Sequence, residues 1–156
     1  MKKFNNWPWK IKIIGPIAYS IVICSVFAYD TFTEFETGKA FSLIIIIAGY
    51  SSMIIARIQL RDRFTIEPSA STQKTIIRSG LYGVVRHPVY TSVSLAVIGM
   101  TIYLLFTPIS IWVNIFSFIF SISYIIMQVV RARNEEKILV KAHGNEYVDY
   151  QKSTLF

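Results

Sequence analysis

The sequence predicts an all-α integral membrane protein with about four transmembrane helices and a short C-terminal cytosolic helix. Three observations carry that class. Hydrophobic residues make up 53% of the 156 residues and charged ones only 16%, against about 25% charged in ordinary soluble domains. The charges are gathered into clusters, which leaves long uncharged runs. Lysine and arginine are also spread unevenly over the segments between those runs, as in chains oriented by the positive-inside rule. A chain of this length reads as a single domain, residues 1–156.

Four apolar runs succeed one another, at about residues 13–29, 40–56, 89–106 and 109–130. Each is near the roughly 20 residues a helix needs to cross about 30 Å of hydrocarbon. The first two are short and are expected to extend into their flanks or thin the bilayer locally. β-Branched residues dominate the runs, which in water would favour strands. In lipid every backbone group must be satisfied within its own segment, so helix is expected. Lys2 and Lys3 precede the first run and Val26-Phe27-Ala28 closes it, a pattern shared with secretory signals; the run is read as a membrane span. Trp7 and Trp9 around Pro8 read as an interfacial anchor. Cys24, the single cysteine, allows no intrachain disulfide and reads as a small buried hydrophobe.

Orientation comes from the basic residues. Lys2, Lys3, Lys10 and Lys12 precede the first run. Arg57, Arg61, Arg63, Lys74, Arg78 and Arg86 lie between the second and third, and Arg131, Arg133, Lys137, Lys141 and Lys152 come after the fourth. Of the sixteen, only Lys39 falls elsewhere, beside Asp30, Glu34 and Glu36. The rule therefore puts both termini and the central loop in the cytosol. The net charge of +7 is explained by this flanking pattern and not by one basic stripe, so no nucleic-acid partner is expected.

The Thr107-Pro108 turn is so short that the third and fourth runs must form a tight antiparallel hairpin. It brings two polar clusters together at the cytosolic surface. The first is Arg78-Ser-Gly-Leu-Tyr-Gly-Val-Val-Arg-His-Pro-Val-Tyr90. Gly80 and Gly83 permit close approaches or unusual backbone around Tyr82, and Pro88 should start or kink the helix. A proline at a first turn leaves neighbouring amides free for an anion, and Arg86 and His87 add donors there. The second cluster is Glu135-Glu136 followed by Gly144-Asn-Glu-Tyr147. Arg131 and Glu135 share a helix face with Ile138 and Ala142, and Glu136 lies about 100° round. Gly144 is expected to end that helix.

Polar groups at the mouth of a membrane helix are costly and point to function. The two histidines, His87 and His143, lack cysteine or carboxylate groups at ligand spacing, so no metal is expected. No nucleophile–base pair and no phosphate loop appears. Anion-binding amides, basic side chains, an aromatic ring and a carboxylate suit a zwitterion bearing a ribose. S-adenosylmethionine is one such ligand, although side-chain chemistry alone does not single it out.

The pattern Gly-x-Tyr-x-x-x-Arg-His-Pro-x-Tyr, then two spans, Glu-Glu and Gly-x-Glu-Tyr-x-x-Tyr, resembles the isoprenylcysteine carboxyl methyltransferases and their phospholipid-methylating relatives. The resemblance covers about residues 61–150, and the first two spans carry no matching signature. It implies a multi-pass methyltransferase using S-adenosylmethionine at the cytosolic face, with a lipid-like or prenylated acceptor entering from the bilayer. Position by position, it implies cofactor binding by Lys74, Thr75, Ile76, Ile77, Tyr82, Arg86, His87, Pro88, Val89, Tyr90 and Glu135, with Glu67 on a weaker match. Arg131 matches a substrate-side arginine. Three positions depart from the pattern: Lys74 stands where a His is common, Leu81 where a Pro is frequent, and Ser92 in the place of a usual Gly.

With that resemblance the residues favour direct methyl transfer to a carboxylate of an isoprenylcysteine-like acceptor, oriented by Arg131. A carboxylate needs alignment and desolvation but no general base. Phospholipid amine methylation is the alternative, and an amine would need a proton-accepting route through Glu136 or water. Sterol-reductase-like enzymes that bind NADPH share an Arg-His-Pro-x-Tyr-type segment, and a non-enzymatic membrane protein would bind neither cofactor.

Overall fold

The computed structural model describes Ile21, Ser25, residues 36–60 and residues 76–155. Expectations for Trp7, Trp9, Cys24, Glu67, Lys74 and Thr75, and for all of the first run except Ile21 and Ser25, lie outside the described residues. Those two positions are helical, and the Ser25 hydroxyl donates to the Ile21 carbonyl at 2.9 Å, a bond along the helix. The chain divides into two compact units, Met1–Thr37 and Gly38–Phe156, and both polar clusters belong to the second.

Among the described residues the architecture is helical. The elements are α1 (Thr37–Leu60), a 3-10 turn (Gly80–Gly83), α2 (Pro88–Leu105), α3 (Ile111–His143) and α4 (Asn145–Ser153). Helices α1, α2 and α3 are each long and apolar enough to cross a membrane. The expected span at about 40–56 thus extends by a few residues at each end, and the one at 89–106 shifts by a single residue. The fourth run behaves differently. Its hydropathy falls at Arg131, but Ala132, Glu135, Glu136, Lys137 and Leu139 are good helix formers, and the helix continues unbroken to His143. At 33 residues and 1.5 Å per residue, α3 is about 50 Å long. That exceeds the hydrocarbon thickness, so its last turns project beyond the bilayer.

The burial pattern is that of a membrane bundle. On α3 the buried positions Ser117, Ser121, Tyr124, Gln128 and Ala132 recur every three or four residues and form one inward stripe. Trp112, Phe116, Phe118, Ile119, Ile122 and Ile126 are exposed on the other faces. A soluble helix would present the reverse. Where lipid is as apolar as any side chain, helices associate through small residues and hydrogen bonds. A side chain at Gly49 of α1 would run into the backbone of Ala96 in α2 at 2.7 Å, and one at Gly99 would meet Ile46 at 2.9 Å. Between α2 and α3, the buried hydroxyls of Thr101 and Ser121 lie 2.5 Å apart.

Two turns set the ends of the hairpin. Between α2 and α3, Thr107 donates its amide to Leu104 and its hydroxyl to Tyr103, closing the expected short connection. After α3, Gly144 adopts φ 58°, ψ −131°, a conformation open to glycine but costly for other residues. There the chain breaks direction and begins α4, the expected short C-terminal helix.

Candidate active site

The site is built where α2 begins, because Pro88 occupies the first helical position. Proline cannot donate to a preceding carbonyl, and its fixed φ suits a first turn. His87 is thereby the residue that caps α2. Its carbonyl accepts from both the amide and the hydroxyl of Thr91, at 3.0 and 3.1 Å, which anchors the backbone while the imidazole packs inward, 5% exposed.

Upstream, Gly80 has φ 61° and stands against the carboxamide of Gln59 in α1. Any side chain there would collide with that amide and would strain the backbone as well. Gln59 Oε1 accepts from the amide of Leu81 at 3.0 Å, so the end of α1 supports the turn that carries Tyr82. Gly83 has ordinary backbone, but a Cβ would press on the Arg78 carbonyl at 2.9 Å.

Both clusters meet across the hairpin. His87 Nε2 is 3.3 Å from Glu136 Oε1, and Nδ1 is 3.8 Å from Glu135 Oε2. The first contact is within hydrogen-bond reach and the second is beyond it. Arg86 Nε pairs with the same Glu136 oxygen at 2.8 Å. The rings of His87 and Tyr90 stand 5.7 Å apart, and the Tyr90 phenol lies within electrostatic reach of the Glu135 carboxylate. Arg131, one turn before Glu135 on α3, is within electrostatic reach of Glu135, Tyr90 and Tyr124. The hairpin therefore gathers Arg86, His87, Tyr90, Arg131, Glu135 and Glu136.

Electrostatics are governed by this crowding. Burial lowers the pKa of His87 below its ordinary value; the charge and hydrogen bond of Glu136 oppose that shift, and the nearby Arg86 adds to it. A neutral imidazole then donates from Nε2 to Glu136. Burial raises the Tyr82 phenol well above its ordinary value, with the Glu135 charge adding to the effect, and Tyr147 is raised by burial and by the charges of Glu136 and Glu135. Both phenols keep their protons and remain hydrogen-bond donors.

Helix α4 covers the flank of the site. Tyr147 and Tyr150 pack with Leu139 of α3, and Ile76 lies against this cluster. Tyr150 donates to the Tyr82 carbonyl at 2.6 Å, holding the loop in place. Of the residues expected to bind cofactor, Ile76 thus has a packing role and Ile77 is half-buried beside it in sequence. Ser92 is buried within α2. Sequence reasoning missed Gln59, Gln151, Thr154 and Leu155. The last three hold Arg86 or its backbone through their own main-chain groups, for which side-chain identity carries no signal.

Residues 41–141 match the isoprenylcysteine carboxyl methyltransferase family. The match covers well over half of the chain. The protein belongs to the isoprenylcysteine carboxyl methyltransferase family. No curated protein and no solved structure matches the chain. The family match begins upstream of the motifs, taking in nearly all of α1, whose sequence bore no legible signature. It closes at residue 141, before α4. This member of the isoprenylcysteine carboxyl methyltransferase family is a membrane protein, with three apolar helices of spanning length among its described residues.

Proposed function

We propose that the chain is an S-adenosylmethionine-dependent methyltransferase that esterifies the carboxylate of an isoprenylcysteine-like, lipid-linked acceptor. The observation that supports this most is the position of His87 between Glu135 and Glu136, which joins the Arg-His-Pro-x-Tyr and Glu-Glu motifs into one cluster. Tyr82, His87, Tyr90 and Glu135 are the described residues that would hold the donor, with Lys74, Thr75 and Glu67 completing the set. Their chemistry fits it: protonated phenols and a neutral imidazole suit hydroxyl and carboxylate groups, and aromatic faces with a nearby carboxylate suit a cation. When bound, S-adenosylmethionine supplies a methyl group on a positively charged sulfur.

Arg131 orients the acceptor carboxylate from one helical turn below Glu135. That carboxylate is already an anion and gives up no proton, so no residue acts as a general base. The side chains' work is to align the two partners and keep water away, which a pocket at a bilayer surface favours. The apolar, outward faces of α1 and α3 favour delivery of the acceptor's tail from the lipid. The basic flanks orient the site toward the cytosol.

Calorimetry of detergent-purified protein tests the donor. S-adenosylmethionine should bind, and binding should weaken in His87→Ala and Glu135→Ala proteins that remain folded. Equal affinity in both variants would overturn the site.

A further inference from the structure

The segment that closes on the candidate site lies beyond the residues that match the family. The last carbonyls of a helix have no amide of their own helix to accept from. At the end of α4, two carbonyls, one in its last turn and one at its C-cap, are taken by Arg86, whose Nη1 donates to Gln151 O at 2.7 Å and to Thr154 O at 3.2 Å. The main chain adds a second tie. Arg86 N–H donates to Leu155 O at 2.9 Å and Leu155 N–H to Val84 O at 2.8 Å, a parallel bridge of Val85 with Leu155. On its other edge the same guanidinium faces Glu136, through Nε. A guanidinium is planar and rigid, so holding one edge fixes the direction of the other.

We infer that the Gln151–Leu155 segment is a positioning clasp: by gripping Arg86 through main-chain groups, it sets where the Glu136 carboxylate stands against His87. Its importance for methyl transfer rests on the site proposed above, whereas the mechanical link does not. The Leu155 side chain is 69% exposed and contributes no core packing, so the tie resides in the backbone. Arg86 is a positioning residue in this arrangement, with its charge shared between an anion and two helix-end carbonyls.

The prediction separates a clasp from ordinary packing of a terminal helix. Leu155→Pro removes the donor to Val84, whereas Leu155→Ala keeps both main-chain bonds. The sequence has two histidines, so nitrogen NMR of histidine-labelled protein in detergent resolves His87, with His143→Gln assigning the other. Leu155→Pro should move the His87 ring resonances and Leu155→Ala should not. Arg86→Ala should move them too, and adding Leu155→Pro in that background should change nothing further. If Leu155→Pro does not fold, a chain lacking residues 154–156 takes its place. Unmoved His87 resonances, or shifts that simply add in the double variant, would overturn the clasp. The donor's affinity is read separately and should fall about tenfold in Leu155→Pro, the loss of roughly one charge-assisted contact. Moved resonances with unchanged affinity would uphold the clasp and sink the donor site.

Discussion

The Nε of Arg86 stands 2.8 Å from Oε1 of Glu136, at the open end of the α2–α3 hairpin, opposite the Thr107-Pro108 turn. That contact joins the loop before α2 to the projecting end of α3, and His87 shares the same carboxylate oxygen. Both partners are mostly buried, with about one-sixth of each side chain exposed. In such surroundings the pair's net contribution is smaller than the cost of breaking it, because removing one charge strands the other.

Glu136→Ala is therefore expected to destabilise the protein strongly, by about 3–5 kcal/mol, and Glu136→Gln by less, since a carboxamide still accepts a hydrogen bond. Thermal unfolding in detergent, followed by circular dichroism, measures both. Equal stability of Glu136→Ala and the parent protein would show that the pair is solvated in solution.

The depressed pKa of His87 has a definite sign in the stability. Above about pH 6.5 the ring is neutral in both the folded and the unfolded chain, so folding is unaffected by pH through this residue. As pH falls below that value the unfolded chain takes up a proton that the buried ring resists, and stability is lost until the folded value is reached. The midpoint of thermal unfolding should therefore drop as pH falls below about 6.5. His87→Gln should flatten that drop, and His143→Gln should not. A steeper decline in His87→Gln would contradict the assignment.

The hairpin and its ends were legible in the sequence for physical reasons that survive in the structure. Pro88 could only begin a helix, Gly144 could end one, and the Thr107-Pro108 turn left the two runs no choice but to pair. The continuation of α3 past Arg131 was legible from the shared face of Arg131, Glu135, Ile138 and Ala142 and from Gly144 beyond it, whereas hydropathy alone registers where lipid ends and not where backbone hydrogen bonding ends. That His87 stands near both Glu135 and Glu136, within hydrogen-bond reach of the second alone, was missed. A helix wheel sets the two about 100° apart, but an imidazole presents nitrogens on two edges and so faces both. Main-chain clasps such as Leu155 on Arg86 leave no mark in residue identity.

Gly144 offers a clean test of backbone strain. Its φ of 58° with ψ −131° lies outside the ordinary regions, and a Cβ would meet no heavy atom within 4 Å. Gly144→Ala should thus cost about 1–3 kcal/mol from conformation alone. Gly80→Ala should cost more, because the strain at φ 61° is joined by collision with Gln59. Denaturation of the two variants side by side gives the comparison, and the reverse order would mean that the Gln59 carboxamide yields easily.

Arg131 is where the proposed chemistry of the acceptor can be tested. It lies one turn from Glu135 and near Tyr90 and Tyr124, and in the proposed function it pairs with the acceptor's anion. If it holds that anion, Arg131→Ala should lower kcat/KM for the acceptor about tenfold to a hundredfold, the equivalent of a charge-assisted contact of about 1.5–3 kcal/mol. Donor affinity should stay nearly intact, which distinguishes loss of the acceptor from collapse of the site. The product gives an independent check. A methyl ester releases labelled methanol in mild alkali, whereas a methylated amine in a lipid headgroup keeps its label. Base-stable label from purified protein and membrane lipids would replace the carboxylate reading with amine methylation. Glu136 would then need to accept a proton, a role that its pairing with Arg86 and His87 disfavours.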